Sequence, residues 1–286
     1  MVKKGIFSGL VTLDFIYLTS KFPGQNEKVV AVDSMVAAGG PATNAAVTFS
    51  QLGNKAILLG GVGKNPITNL ILEDLEKCSV ELSDLDAERL ESPPVSSIIV
   101  TQSTGERAVI SINATKSQAS ELNILPDILE NVDIILVDGH QLPVGEKLAR
   151  LAKNKNVPVV LDGGSWKVGL EKLLPFVSYA VCSEKFYPPG CKTSEDVFDY
   201  LADIGILNIA VTRGEKSILY QTAKGRGEVE IPAINVVVDT LGAGDIFHGA
   251  FCYYILEEGF TEALKSAAKI AAYSCQFFGT RRWKDE

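Results

Sequence analysis

The sequence predicts a doubly wound α/β fold, a mostly parallel sheet sandwiched by helices, with a small β-sheet lid attached. Two patterns predict it. From Ile134 onward the segments IILVD, VVLD, YAVCS and IAVT, nearly all apolar and bounded by turn residues, alternate with helical stretches. Strands apolar on both faces are strands covered by helices above and below. In the first half, the pieces Phe15 to Leu18, Val29 to Val32, Ser96 to Thr101 and Ala108 to Ile112 instead alternate apolar with polar residues. They belong to a separate, two-faced sheet.

Taken in order, the chain opens with an apolar strand, Ile6 to Leu10, and reaches the first lid pieces around the turn FPGQN. The Gly-rich break AAGGPAT then starts an apolar helix that runs to Leu52. Strand Ala56 to Leu59 and helix Ile67 to Cys78 follow, before the second lid pair, joined by the turn STGE. After the regular half come a β-rich stretch, Ser217 to Val238, and two helices, Gly244 to Glu258 and Thr261 to Phe277. We expect one domain over residues 1–286, its lid formed by about residues 12–37 and 94–113 and hinged near Asp33 to Gly39.

Composition narrows the function. With 286 residues, 46% of them apolar, the chain can bury one large core. Its formal charge of −8 argues against nucleic acid or an anionic membrane as partner, because both need clustered Lys and Arg. The basic knot Arg281, Arg282 and Lys284 runs straight into Asp285 and Glu286 and reads as a solvated tail. No apolar run reaches the ~18 residues of a membrane helix, and Asp14 cuts the opening run short of a leader segment. Five widely spaced cysteines without a C-x-x-C pair fit neither a disulfide framework nor a zinc site, so a reducing cytoplasm is expected.

The chemistry concentrates in Asp239-Thr240-Leu241-Gly242-Ala243-Gly244-Asp245, between an apolar strand and the helix IFHGAFCYYIL. Glycines let backbone N–H groups converge, and a helix starting there aligns their dipoles toward an anion. A carboxylate at such a cradle can take a proton from an attacking hydroxyl, and phosphoryl transfer asks for little beyond positioning and charge stabilisation. As an isolated pattern, the same residues describe an ordinary helix start. Asp138, Asp162, Ser183 and Thr212 also stand just past strands, where such sheets bind ligands, although a carboxylate there equally serves as a cap. His248 reads as a packed histidine and His140 as a surface turn.

DTLGAGD resembles the C-terminal signature of the PfkB, or ribokinase-like, sugar kinases. Gly39-Gly40-Pro41-Ala42-Thr43-Asn44 resembles the same family's N-terminal glycine-rich signature, roughly two hundred residues earlier. The resemblance implies Asp245 as catalytic base and Gly242, Ala243 and Gly244 as anion hole. It implies Asp14, Gly40 and Asn44 as sugar ligands, with Arg107 reaching the site from the lid, and Ser183, Thr212, Arg213 and Gly214 on the ATP side. ATP and Mg²⁺ follow as co-substrate and ion, a monovalent cation such as K⁺ near Asp239 as an option, and a homodimer through the lid as the assembly.

The departures count too. Where the family carries N-x-x-E, this chain reads Ser183-Glu184-Lys185-Phe186, which leaves the metal ligands unassigned. Ser217 and Asn65 stand where the family has glycine and aspartate. Ser183 resembles the ketohexokinase and sulfofructose-kinase side and points to a ketose. The expectation is an ATP-dependent kinase acting on a primary hydroxyl of a small sugar, a ketose or its derivative. A nucleoside kinase, with Phe15, Tyr17 and Phe22 around the base, and a non-catalytic sugar sensor are the alternatives.

Overall fold

A computed structural model describes residues 1–112, 118–125 and 127–284. A nine-stranded sheet takes shape from β1 (Lys4–Ser8), β4 (Lys55–Gly60), β5 (Val80–Asp84), β8 (Ile134–Val137), β9 (Val159–Gly163), β10 (Tyr179–Ser183), β11 (Asn208–Arg213), β12 (Lys216–Thr222) and β13 (Gly225–Val229). Their spatial order is β13-β12-β11-β10-β9-β8-β1-β4-β5. All neighbours run parallel from β11 to β5, while β12 and β13 add an antiparallel edge.

Alternation along each strand feeds two cores. Phe7, Leu136, Val160 and Val181 face the helices α1 (Pro41–Gln51), α5 (Ala243–Tyr254) and α6 (Phe260–Ser274). Ile6, Ile135, Leu161 and Cys182 face the other way, toward α3 (Leu142–Lys155) and α4 (Ser194–Asp203). Both strand faces are thus buried, which is why these segments read as unbroken apolar runs.

Helix packing sets the site. A Cβ on Gly249 of α5 would stand 2.3 Å from the Ala45 carbonyl oxygen of α1, so the two helices approach as closely as they do only because that position is glycine. This crossing brings the N-terminal turns of both helices together.

The small sheet has four strands in the order β3-β2-β6-β7, built from β2 (Thr12–Thr19), β3 (Asp33–Gly39), β6 (Val95–Thr101) and β7 (Arg107–Ser111). One expectation about it fails. Val29 to Val32 is not a strand: β2 pairs with β3 from Thr12↔Gly39 to Leu18↔Asp33, the chain turns at Gly24–Glu27, and only Val32 N bonds back to β2, at Leu18 O. Asp33 to Gly39, the expected hinge segment, is a paired strand. Residue 113, the expected end of this region, lies outside the described residues, as do Asp285 and Glu286 of the tail. The sheet's buried face carries Ile16, Leu18, Ile98 and Val100, packed with Met35, Val238, Leu241 and Phe278. No helix among the described residues is long and apolar enough to cross a membrane.

Candidate active site

Asp245 lies in the first turn of α5, whose N-cap Gly242 has φ 70°. A side chain at Gly242 would meet Thr280 Cγ2 at 2.6 Å, so the loop needs glycine for both conformation and space. Around Gly244 the opposite holds, since a Cβ there meets nothing within 4 Å. That open volume lies over a helix N-terminus, where amides of the first turn have no intrahelical acceptor. It is the shape and polarity of an anion cradle.

The Asp245 carboxylate is partly buried and accepts a hydrogen bond from Asn44 Nδ2 at 2.8 Å. Burial, with the nearby Asp162 charge, pushes its carboxyl up to about 6, against the pull of Asn44, His248 and Arg107. A base poised there is ionised at neutral pH yet still proton-hungry. Asn44 sits inside α1 rather than capping it, the N-cap being Gly40 with φ 103°.

Asp14 stands in β2, buried, with Thr12 Oγ1 donating to its Oδ1 at 2.7 Å. Burial raises its carboxyl, opposed by hydrogen bonds from Thr12 and Ser96 and by the Arg281 charge. A Cβ on Gly39 would come within 1.9 Å of Asp14 Oδ2, so β3 can pass this carboxylate only as glycine. Gly40 follows with its own close approach, its missing Cβ 2.3 Å from the Leu10 carbonyl oxygen. The structure therefore brings Asp14, Gly40, Asn44 and Asp245 to one place.

Arg107 reaches across from β7 to Thr240, donating from Nη1 to the carbonyl oxygen at 3.1 Å and to Oγ1 at 2.9 Å. It ties the small sheet to the cradle loop. Asp239 anchors that loop from the other side, its Oδ1 accepting from Leu241 N at 2.8 Å and its Oδ2 from Gly279 N at 2.9 Å.

Ser183, Thr212, Arg213 and Gly214 cluster at the ends of β10 and β11, away from Asp14 and Asn44. Ser183 Oγ donates to Gly164 O at 2.8 Å, and the Thr212 carbonyl accepts from Glu184 N at 2.9 Å. Gly214, with φ 64°, turns the chain into β12. The Arg213 side chain turns toward Ser217 O at 2.8 Å and Glu228 at 3.7 Å, so its charge is spent on the hairpin.

The strand-end acids divide. Asp138 is a cap: its Oδ2 accepts from Leu10 N at 2.9 Å and Ala42 N at 3.2 Å, and its Oδ1 from His140 N at 2.8 Å. Burial alone would raise its carboxyl, but His140 and these amides carry it below the ordinary value. Asp162 is different, since its buried Oδ2 has no hydrogen-bond partner.

One residue at the site runs against the sequence reading. Arg281 is not part of a solvated tail. Its guanidinium donates to Asn44 Oδ1 at 3.0 Å, to Thr280 Oγ1 at 2.8 Å, to Asp74 Oδ2 at 3.1 Å, and to the Ala38 carbonyl. The available signal was aromatic: Phe278 and Trp283, on either side of it, are both buried, and a solvated tail has no use for such residues.

A model of the pfkB family carbohydrate kinases matches residues 4–285. Deoxyribokinase of Salmonella typhimurium is 28% identical, with 94% of this chain and 91% of that protein covered. Ribokinase of Bacillus subtilis is 25% identical, with 96% and 93% covered. The solved structure of Arabidopsis thaliana ribokinase complexed with ribose and ATP shares the fold at a TM-score of 0.78, with 22% identity over 98% of this chain and 94% of that one. Matched over almost its whole length, and carrying both glycine-rich segments at the junction of α1 and α5, this chain belongs to the pfkB family of carbohydrate kinases.

Proposed function

We propose that the chain transfers the γ-phosphate of ATP to a primary hydroxyl of a small sugar, with Asp245 as general base. The observation that carries this reading is the partly buried Asp245, held by Asn44 at 2.8 Å and opening onto the open space over Gly244. In the reaction, Asp245 accepts the hydroxyl proton while that oxygen attacks the γ-phosphorus. The bond from phosphorus to the β,γ-bridging oxygen breaks, and ADP leaves with the electron pair. Gly242, Ala243 and Gly244 offer backbone N–H groups to the phosphoryl oxygens as charge develops, and Arg107 adds positive potential from the small sheet. Asp14, Gly40 and Asn44 hold neighbouring sugar hydroxyls, a carboxylate accepting and an amide doing both.

Ser183, Thr212 and Gly214 shape the nucleotide side. Among the described residues no group of three His, Cys, Asp or Glu side chains could hold a metal ion. Mg²⁺ in this reading therefore arrives on the ATP phosphates with its water ligands and supplies charge neutralisation there. A monovalent cation beside Asp239 would find both carboxylate oxygens already accepting amide bonds, and the reading includes no step through one.

On the acceptor, the deoxyribokinase and ribokinase likenesses favour a pentose alongside the ketose suggested by Ser183. Ser183 speaks weakly about sugar, because its hydroxyl is engaged by Gly164 at the far strand end. Phe15 and Tyr17 give a nucleoside base little support, since they alternate with Asp14 along β2 and so point to the opposite face. The enzyme is further proposed to use the small sheet as a lid and dimer surface, in a reducing cytoplasm that suits its free cysteines. Coupled measurement of ADP release with ribose, deoxyribose, fructose, a ketose derivative and nucleosides tests the reading. Turnover on a sugar supports it, and ATP left intact by the whole panel overturns it.

A further inference from the structure

His248 lies one turn into α5, and both nitrogens of its buried ring face acceptors. Nδ1 is 2.7 Å from the Gly244 carbonyl oxygen and Nε2 is 3.0 Å from that of Val181. A carbonyl oxygen only accepts, so each contact requires a hydrogen on the ring nitrogen. Neutral imidazole carries one such hydrogen. Only the imidazolium carries both.

The counter-charge is in place. Asp162 Oδ2, at the end of β9, is 3.4 Å from Nδ1, and this buried oxygen has no hydrogen-bond partner of its own. The two side chains are 6% and 5% exposed, so water screens their attraction little. An unpaired carboxylate at such a depth would be costly, and a neutral ring would leave it without compensation.

The neighbours show what the charge can do. Asp245, on the same helix face, is the other carboxylate within range, and Asp162 and Asp245 repel one another. Cys182 of β10 and Cys252 of α5 also face this cluster, but burial and the Asp162 charge push both thiols up and keep them neutral. From beyond β9, Asp138, Lys167 and His140 act on Asp162. On the α1 side the facing group is the uncharged Asn44 amide. His248 is thus the cation set between the buried Asp162 and the partly buried Asp245, and its ring also joins the cradle residue Gly244 to β10.

We infer that His248 is held doubly protonated and acts as a positioning cation, pinning the anion cradle to the sheet and balancing Asp162 so that Asp245 stays available as base. The inference rests on the kinase reading above for its catalytic half, while the protonation state stands apart from it.

The test uses the full-length chain. With two histidines in the sequence, ¹⁵N spectra of the labelled protein can be assigned with a His140→Gln variant. At pH 7.5 the His248 ring is expected to show two proton-bearing nitrogens, and a single bare ring nitrogen overturns the inference even in an active enzyme. The kinetic arm compares His248→Asn with Asp162→Asn. Losing the cation should move the acidic limb of the kcat profile upward by roughly half to one pH unit. Losing the neighbouring anion should move it downward by a similar amount. Opposed shifts support a charge-balancing role, whereas shifts of one sign, or a plain loss of kcat with the limb unmoved, overturn it. Should His248→Asn fail to fold, the Asp162→Asn limb and the wild-type spectrum decide. A wild-type chain without kinase activity would defeat the kinase reading and the catalytic half with it, while the spectrum still reports the protonation state.

Discussion

Arg281 Nη1 donates to Asn44 Oδ1 at 3.0 Å, and this bond decides which end of the Asn44 amide faces Asp245. With Oδ1 taken by a guanidinium, Nδ2 is the end that points to the Asp245 carboxylate, as the 2.8 Å contact requires. The same guanidinium is fixed by Asp74, which also accepts from the Ala38 amide at 2.9 Å, next to Gly39 and Gly40. One side chain thereby fixes both the chain leading into Gly39 and Gly40 and the Asn44 amide that faces Asp245.

Replacing Arg281 with Lys should show this. An ammonium is a point donor and cannot span Asn44, Asp74 and the Ala38 carbonyl together. Losing a charged hydrogen bond of this kind costs about 1.5–3 kcal/mol, or roughly 10- to 100-fold in kcat/KM for the sugar. Steady-state kinetics on a variant of confirmed fold is the check. A value within about twofold of wild type would remove Arg281 from the site.

How much of this was legible in the sequence can be judged residue by residue. The sheet was, because strands such as Ile134–Val137 are buried on both faces and leave an unbroken apolar run. The Gly242 turn was, because its φ of 70° and the 2.6 Å approach of Thr280 Cγ2 leave room there for glycine alone. The edge strand β5 was not, since Val80–Asp84 is half exposed and carries alternating polar residues like any surface loop. The Arg281 connection was hidden for another reason: its partners Asp74, Asn44 and Ala38 lie 207 to 243 residues away, and local pattern carries no trace of contacts at that separation. The pairing of Asp162 with His248 was hidden likewise, although each was noticed singly.

Asp245→Asn separates catalysis from stability. As the base is lost, kcat should fall by ~10²–10⁴-fold with ATP affinity nearly unchanged. The fold should respond in the opposite direction. Because burial raises the folded carboxyl from 3.8 to about 6, the folded state binds more protons than the unfolded between those values, and stability falls as pH rises through that window. Above pH 6 the full cost of an ionised Asp245 is present, on the order of 2 kcal/mol, and the Asn variant escapes it. Thermal melts at pH 8 should show the variant more stable, with the gap closing toward pH 4. A variant less stable than wild type at pH 8 would contradict the burial argument. In the wild type, kcat should decline as pH falls through about 6, as the base takes up its proton.

Asp14→Ala should strike the sugar and spare the nucleotide. The carboxylate stands among Thr12, Ser96 and Gly39, on the opposite side of the site from Ser183 and Gly214. A sugar hydroxyl left without its buried partner loses ~1–3 kcal/mol of binding. Calorimetric titrations with sugar and with ATP separate the two. A collapse of ATP affinity with sugar binding intact would mean that the halves of the site are assigned backwards.

Gly249→Ala tests whether the helix crossing sets the catalytic contact. The added methyl would fall 2.3 Å from the Ala45 carbonyl oxygen and 2.7 Å from Thr48 Cβ, both on α1, so the helices must part. Overpacking of this kind costs ~1–3 kcal/mol of stability. It should also lengthen the Asn44–Asp245 contact, lowering kcat in a variant that still folds. Full activity alongside lowered stability would show that the contact tolerates the shift.

The small sheet gives the last expectation. Its face toward the cradle is closed by the chain's own Phe278, Val238 and Leu241, more fully than the sequence led us to expect. The opposite face is not closed at its outer end. There Tyr17, Val36 and Ile110 are 40%, 46% and 71% exposed, and the strand register sets them with Phe15 and Ile99 on one side of the sheet. A contiguous apolar face of this kind on a twisted sheet is commonly a partner surface, and a second copy of the same sheet offers a self-complementary one. Such a dimer would steady the sheet while Arg107 holds it to Thr240, keeping water from the cradle as the phosphoryl group moves. Sedimentation of the wild type should therefore report a dimer, and Ile110→Lys should shift it to monomer with the main fold intact. On adding sugar, hydrogen exchange in Thr12–Thr19 and Val95–Thr101 should slow. A wild type that sediments as a monomer with and without sugar, with exchange in those strands unchanged, would rule out both the dimer and the closure.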